Sequence, residues 1–246
     1  MIVPALVLLA VLVGAGMQRV TGMGFALVAA PFLVLLLGPV EGVILVNVCG
    51  AVTAAAIIPR VFRDVDWRRY RFLAAAALLG IVPAAMIVRV IPAPVLEISI
   101  GALLAGGLTV SLCLRSAVLS PRRRYLTAAG AMSGFMNTAA GVGGPAVSIY
   151  SLATRWPHRS FAATMQPYFF TIGCLALVFK ALAGGAVPEL PWGMWLAVAL
   201  TCLAGIVIGD VLAKHISIRT AQLLLIAVAY LGAATTIARG VHGLLT

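Results

Sequence analysis

Charge is what this sequence has least of. Only six residues in 246 are acidic, and Asp, Glu, Lys and Arg together make up 9%. A water-exposed domain carries about a quarter charged residues, so a soluble fold is excluded. No polar stretch is long enough to form a soluble domain beside the apolar ones. Histidine occurs three times, at segment ends or in loops, and nothing has metal-ligand spacing. The four cysteines (Cys49, Cys113, Cys174, Cys202) include no CxxC pair and read as small buried hydrophobes. Cys49 and Cys174 alone fall near segments of interest. A glycine-rich nucleotide loop and a convincing Ser-His-Asp set are both missing. The chain is therefore not expected to be an enzyme, and no cofactor or metal is expected. Alternating segments of about ten residues are also missing, which excludes a transmembrane β-barrel.

Apolar sequence fills the space. Hydrophobic residues make up 63% and the mean hydropathy is +1.15. Runs long enough to enter or cross a bilayer recur from end to end. The fold class is an all-α polytopic membrane protein. The opening run MIVPALVLLAVLVGAG lacks the basic start of a signal peptide and continues through a polar break into a second apolar run, so it reads as part of the mature fold. The net charge of +11 sits mostly in short loops, where it sets topology and does not signal nucleic-acid binding.

The chain contains itself twice. MQRVTGMG (17–24) aligns with MNTAAGVG (136–143) at an offset of 119, and the same offset places Asn47 on Gln166. Further on the offset becomes 125, matching Trp67 with Trp192, Gly80-Ile81-Val82 with Gly205-Ile206-Val207, Arg89 with Lys214 and Glu97 with Gln222. A first transmembrane repeat is expected over 1–115, a basic cytoplasmic linker over 116–124 and a second repeat over 125–246. Each repeat has a broken apolar segment followed by three whole ones.

Residues 3–37 would form a straight helix of about 52 Å, against a hydrocarbon thickness of about 30 Å. Two half-helices of about 15 residues, folded back at the glycines, are expected to form a re-entrant hairpin whose tip ends near the midplane. Each repeat then has three crossings, and the second is inverted relative to the first. Under this arrangement thirteen of the seventeen basic residues share one face (Arg60, Arg63, Arg68, Arg69, Arg71, Arg115, Arg122, Arg123, Arg124, Arg155, Arg159, Lys214 and Arg219). Arg89, Lys180 and Arg239 lie on the other face and Arg19 at a tip. If each broken segment crossed once instead, the better split would be eleven to five. The positive-inside bias favours the inverted arrangement, with both termini outside the cytoplasm.

Inverted repeats with broken helices are a transporter architecture. The second arm of each hairpin starts near Gly24 or Gly144 and aims free N–H groups inward, which makes an anion site. Pro145 suits a first helical position. The expected substrate-binding residues are Gln18, Arg19, Thr21, Gly22 and Gly24 from the first break, and Asn137, Thr138, Gly141, Gly143 and Gly144 from the second. Asn47 and Gln166 join them from the segments that follow. Arg19 is read as an attractor for the anion, and Tyr168 as a further hydroxyl. Pro31, Pro83 and Pro167 read as kinks. Asp210 is a candidate for ion coupling, although pairing with Lys214 is the plainer reading. Glu41, Glu97 and Glu189 are expected at the interfaces.

GFMNTAAGVGGPAVSIY (134–150) followed by FAATMQPYFF (161–170) resembles the TauE/SafE family of permeases. GMGFALVAAP (22–31) resembles the N-terminal copy of its motif, with Met23 and Phe25 where members often have more glycine. The resemblance covers essentially the whole chain. It implies transport of sulfur-containing anions, with binding roles for Gly141, Gly143, Gly144 and Pro145, and for Gly22 and Gly24. The expected function is a secondary transporter for small sulfur-containing oxyanions, exporting sulfite or a small sulfonate such as sulfoacetate by alternating access. An anion channel on the same scaffold and a membrane thiol-redox protein are the alternatives. The expected partners are the anion and the lipid bilayer of the cell inner membrane, with a homodimer left open.

Overall fold

A computed structural model describes residues 2–22, 24–113, 122–184 and 190–245. Met23, Arg115, residues 116–121 of the expected linker and Glu189 lie outside them. Ten α-helices and no strands occur among the described residues. They are α1 (Ile2–Thr21), α2 (Gly24–Leu37), α3 (Pro39–Val61), α4 (Trp67–Val90), α5 (Ala93–Cys113), α6 (Arg123–Ala140), α7 (Gly144–Ala153), α8 (His158–Leu182), α9 (Trp192–His215) and α10 (Ile218–Leu245). Seven of these (α1, α3, α4, α5, α8, α9 and α10) are long and apolar enough to cross a membrane. The short arms α2 and α7, with 14 and 10 residues, reach about 21 and 15 Å. Neither spans the hydrocarbon.

Local chemistry sets the boundaries. Gly38 (φ 92°) turns the chain sharply, and Pro39 opens α3 where its missing N–H costs nothing. Asp66 caps α4 by accepting from the Arg69 N–H at 3.0 Å. Pro31, Pro83 and Pro167 all lie inside helices, in α2, α4 and α8. On α9 the exposed residues Leu196, Leu200, Leu203, Val207 and Val211 follow helical spacing, so one whole face of that helix is dressed for lipid.

Helix partners exchange when the two five-helix halves are swapped. The α4 helix packs along α6 as α9 packs along α1; α2 lies on α10 as α7 lies on α5; α3 faces α8, and α5 faces α10. The agreement reaches single atoms. A methyl added at Gly80 would strike the Ala131 carbonyl and the Phe135 nitrogen, and one at Gly205 would meet the Leu12 carbonyl and the Gly16 nitrogen. Leu12 and Gly16 are the residues 119 positions before Ala131 and Phe135. The α5 and α10 helices run in opposite directions. Gly101 lies against Ala233 and Ile237, whereas Gly240 and Gly243 lie against Ile98 and Pro94.

Both broken segments fold back, with Gly14 of α1 against Phe25 and Ala29 of α2. Their arms are unequal, however. The first arms hold 20 and 18 residues, not about 15, and they run past the middle of the bundle. Gln18 meets Thr53, beyond Gly50 at the centre of α3. The extra length carries the polar end of α1 to partners that an arm stopping at the midplane would miss.

Glycine at the close crossings is a packing requirement that an added carbon breaks. Gly80→Ala and Gly205→Ala should each lower stability, by about 1–3 kcal/mol for overpacking, seen as a lower melting temperature in detergent. Gly106→Ala, with nothing within 4 Å of the added methyl, should melt like the parent. Equal melting of all three variants would contradict the packing.

Candidate functional site

Each first arm ends because a glycine takes the left-handed conformation. Gly22 (φ 86°) and Gly141 (φ 76°) occupy equivalent positions, and each donates its N–H to a carbonyl four residues back: Gln18 O and Asn137 O, both at 2.8 Å. This is the helix stop that glycine alone makes without strain. The second arms restart at Gly24 and Gly144. No side chain caps α7, which has proline in its first turn. The first N–H groups of such a helix have no partner within it.

Between the restarts lies a central cavity of about 30 Å³, room for about two waters. The first turns of both second arms line it, through Phe25, Ala26 and Leu27 on one side and Gly143 and Gly144 on the other. Gln18, Asn47, Gly50, Asn137, Gly141 and Phe169 complete most of the wall.

Four amides form two crossed pairs. Gln18 Nε2 donates to Gln166 Oε1 at 3.2 Å, and Asn137 Nδ2 donates to Asn47 Oδ1 at 2.6 Å. An offset of 119 converts one pair into the other. Gln166 Nε2 also donates to Gly22 O (2.8 Å) and to its own Ala162 O (3.2 Å). Asn47 Nδ2 likewise donates to Asn137 O (3.4 Å) and to its own Val43 O (2.9 Å). In each pair the amide of an unbroken helix covers a carbonyl beside the other half's break. Gln18 Oε1 additionally accepts from Thr53 Oγ1 at 2.9 Å.

Other expected site residues fall elsewhere. Thr21 donates its hydroxyl to Met17 O at 2.7 Å. A side chain at Gly24 would collide with Thr21 and Leu225, so close packing accounts for that glycine. Thr138 is fully buried outside the cavity wall, and its hydroxyl has no hydrogen-bond partner among the described residues. Tyr168 packs in an apolar cluster, with its hydroxyl 3.5 Å from Gly130 O, and lends nothing to the site.

Arg19 is turned away from the central cavity. Its Nε lies 2.5 Å from Asp210, whose other oxygen accepts from Arg60 Nη1 at 2.6 Å. Asp210 therefore pairs with Arg19 and Arg60, not with Lys214. An offset of four residues along α9 offers Lys214, but α9 presses Gly209 against Arg19, and this brings the guanidinium closer. Glu97 is also corrected: it is buried and lies 3.4 Å from Arg239. Glu41 is exposed at the start of α3.

Thr53, Gly50 and Phe169 were missed as candidates. Gly50 and Phe169 are themselves 119 apart, so the repeat could have found them. Thr53 has no counterpart, because Ile172 occupies the equivalent position.

The sequence matches the family model described as sulfite exporter TauE/SafE over residues 6–236, nearly the whole chain. The chain belongs to the TauE/SafE family. It is a multi-span helical membrane transporter and not an enzyme. No curated protein and no solved structure matches it. In this TauE/SafE protein the conspicuous GVGGP run forms the second break and the N-terminus of α7.

The crossed amides should show energetic coupling. Asn47→Ala and Asn137→Ala should each destabilise the protein, and the double variant should lose less than their sum. The expected coupling is about 0.6 kcal/mol and at most about 1.7, as for polar pairs within membranes. Melting curves of the three variants in one detergent provide the check, and strict additivity would rule out the pairing.

Proposed function

We propose that the protein carries a small sulfur-containing oxyanion, sulfite or a small sulfonate such as sulfoacetate, outward across the cell membrane. It does so by alternating access around the cavity between the two helix breaks. The observation that carries this reading is the exchange of the crossed amide pairs under the repeat. A site built twice from one unit can offer the same chemistry to either face.

The anion is held without a full charge. N–H groups from the first turns of α2 and α7 and the amide N–H groups of Gln18 and Asn137 replace its water. Hydrogen bonds to an ionised acceptor are about twice as strong as neutral ones. The antiparallel contact of α5 with α10, equivalent helices of the two repeats, supports inversion of one repeat relative to the other. With the basic loops on the cytoplasmic face, both termini lie outside.

A vestibule of about 250 Å³ leads toward the centre from the end bearing the Arg60–Trp67 and Arg155–Arg159 loops. Arg19, Asp64, His158 and Arg159 line it, and Gln18 lines both this vestibule and the central cavity. The Gln18–Gln166 pair is then the inner gate, and Asn47–Asn137 its counterpart on the outer side. A basic entrance raises the local anion concentration, which suits export. One observation favours a thiol-redox reading instead: Cys49 and Cys202 touch each other. Both are fully buried in an apolar cluster, out of reach of a redox partner, so a cysteine-free variant should transport normally.

Proteoliposome flux tests the proposal. Sulfite or sulfoacetate should show saturable counterflow, which a channel would not give. Asn137→Ala should raise the half-saturating concentration at least about tenfold, the loss of one bond to a charged group. Unchanged saturation in that variant would refute the site. For topology, single cysteines at positions 2 and 245 should react with an impermeant reagent added outside intact cells. Reaction only after lysis would refute the orientation.

A further inference from the structure

The end of the bundle opposite the arginine-rich loops holds a cation without a counter-charge among the described residues. Lys180, in the last turn of α8, is 5% exposed, and its Nζ has no hydrogen-bond partner among the described residues. It lines a cavity of about 360 Å³ together with Arg89 from the last turn of α4. The rest of the wall is apolar, from residues such as Ile44, Val88, Ile91 and Leu96, and no carboxylate of the described residues contributes to it. Among the described residues, the acidic neighbours of this wall do not serve; Glu189 lies outside them. Glu41, beside Val40, is exposed, and Glu97, beside Leu96, is engaged by Arg239.

An isolated ammonium in apolar surroundings is costly unless it is paired. The positive-inside bias makes basic residues scarce at this end, yet two of them share one cavity. A structural explanation needs a partner, as Arg239 has in Glu97. An anion bound from outside the chain supplies one.

We propose that Lys180 and Arg89 form a second oxyanion site, separate from the central cavity, on the exit side of the transporter. Its ligand carries at least two oxygens on sulfur or phosphorus, one set toward the ammonium and one toward the guanidinium. Two sources share that chemistry: the transported sulfur oxyanion on its way out and the phosphate of an anionic lipid headgroup. The inference rests on the proposed function only for the first of these. Arg89 sits at the open end and meets the ligand in water. Lys180 completes its desolvation deeper in. The repeat offers no equivalent, because the residue 119 positions before Lys180 is Val61, so this site gives a symmetric scaffold a distinct exit.

The test compares four proteins purified in a neutral detergent free of phospholipid: parent, Asn137→Ala, Lys180→Met and the double variant, with sulfite as the probe. Lys180→Met should raise the melting temperature without anion, because it removes a buried unpaired charge. In the Asn137→Ala background sulfite should still stabilise the protein, and adding Lys180→Met should abolish that remainder. Lys180→Arg should retain it. Native mass spectrometry with phosphatidylglycerol added to a zwitterionic lipid covers the second source. Loss of phosphatidylglycerol binding in Lys180→Met and Arg89→Gln, without loss of the sulfite remainder, assigns the site to lipid phosphate. If Lys180→Met and Arg89→Gln keep both the sulfite remainder and the lipid binding, the second site is overturned, whatever the central cavity does. If instead Asn137→Ala leaves sulfite stabilisation intact and Lys180→Met removes it all, the central site fails and this one stands.

Discussion

A backbone that leaves helical geometry inside hydrocarbon must have its N–H and C=O groups satisfied by protein. Everything particular about this molecule follows from meeting that demand twice. The N–H groups of Gly22 and Gly141 turn back onto their own helices. The carbonyls are harder. Gly22 O is covered by Gln166, Asn137 O by Asn47, and Gly143 O by Ser133 at 2.8 Å. Two of these donors belong to the other half of the chain. Gln166 is the cross-repeat partner of Gly22 O, whereas Asn47 adds to the bond that Asn137 O already accepts from Gly141. Of the four amides, Gln18, Asn47 and Asn137 line the cavity. In the proposed mechanism, structural and binding roles overlap on these amides because few polar groups are at hand.

The scaffold is two-fold, but the charges placed on it are not. Arg19, Arg60 and Asp210 form a cluster at one end. Their counterparts under the repeat are Thr138, Phe179 and Ala85, none of which is ionisable. Lys180 and Arg89 stand at the other end. The two amide pairs also differ, since Thr53 adds a bond to Gln18 that Ile172 cannot supply to Asn137. A perfectly symmetric carrier would have the same energy open to either side. In the proposed mechanism these differences would bias that balance. They lie by the amide pairs and the end cavities and not at the helix crossings, where Gly80 and Gly205 meet an equivalent carbonyl and nitrogen.

Much of this was legible in the residues. Hydropathy placed the helices, glycine placed both breaks, and Pro145 marked the restart of the second. The offset of 119 named all four amides before any contact was known. Geometry along helix axes was not legible. The first arms run beyond the middle because Gln18 and Arg19 find partners there, and no local signal in MQRVTG reveals how deep those partners lie. Arg19 reads as an attractor because burial of a lone charge is costly. Its partner Asp210 is 191 residues away and reaches it only because α9 runs beside α1. Lys180 ends an apolar run like any residue that snorkels to the interface. Only the packing around it shows an ammonium left without a partner among the described residues.

Moving the arginine aside has a chemical consequence. A guanidinium in the central cavity would cost several kcal/mol to hold there and would recover that energy by gripping the anion, slowing release. With Arg19 neutralised by Asp210, the centre holds only amides and the N–H groups of two helix starts. In the proposed mechanism these donors are weak enough singly for the anion to leave, and they need no counter-ion in the empty cavity, because Gln18 bonds to Gln166 and Asn137 to Asn47. In the proposed carrier, the empty centre would change its facing with no unpaired charge in the cavity. In that proposal, the side chains that would receive the anion are the ones that bond to each other in its absence.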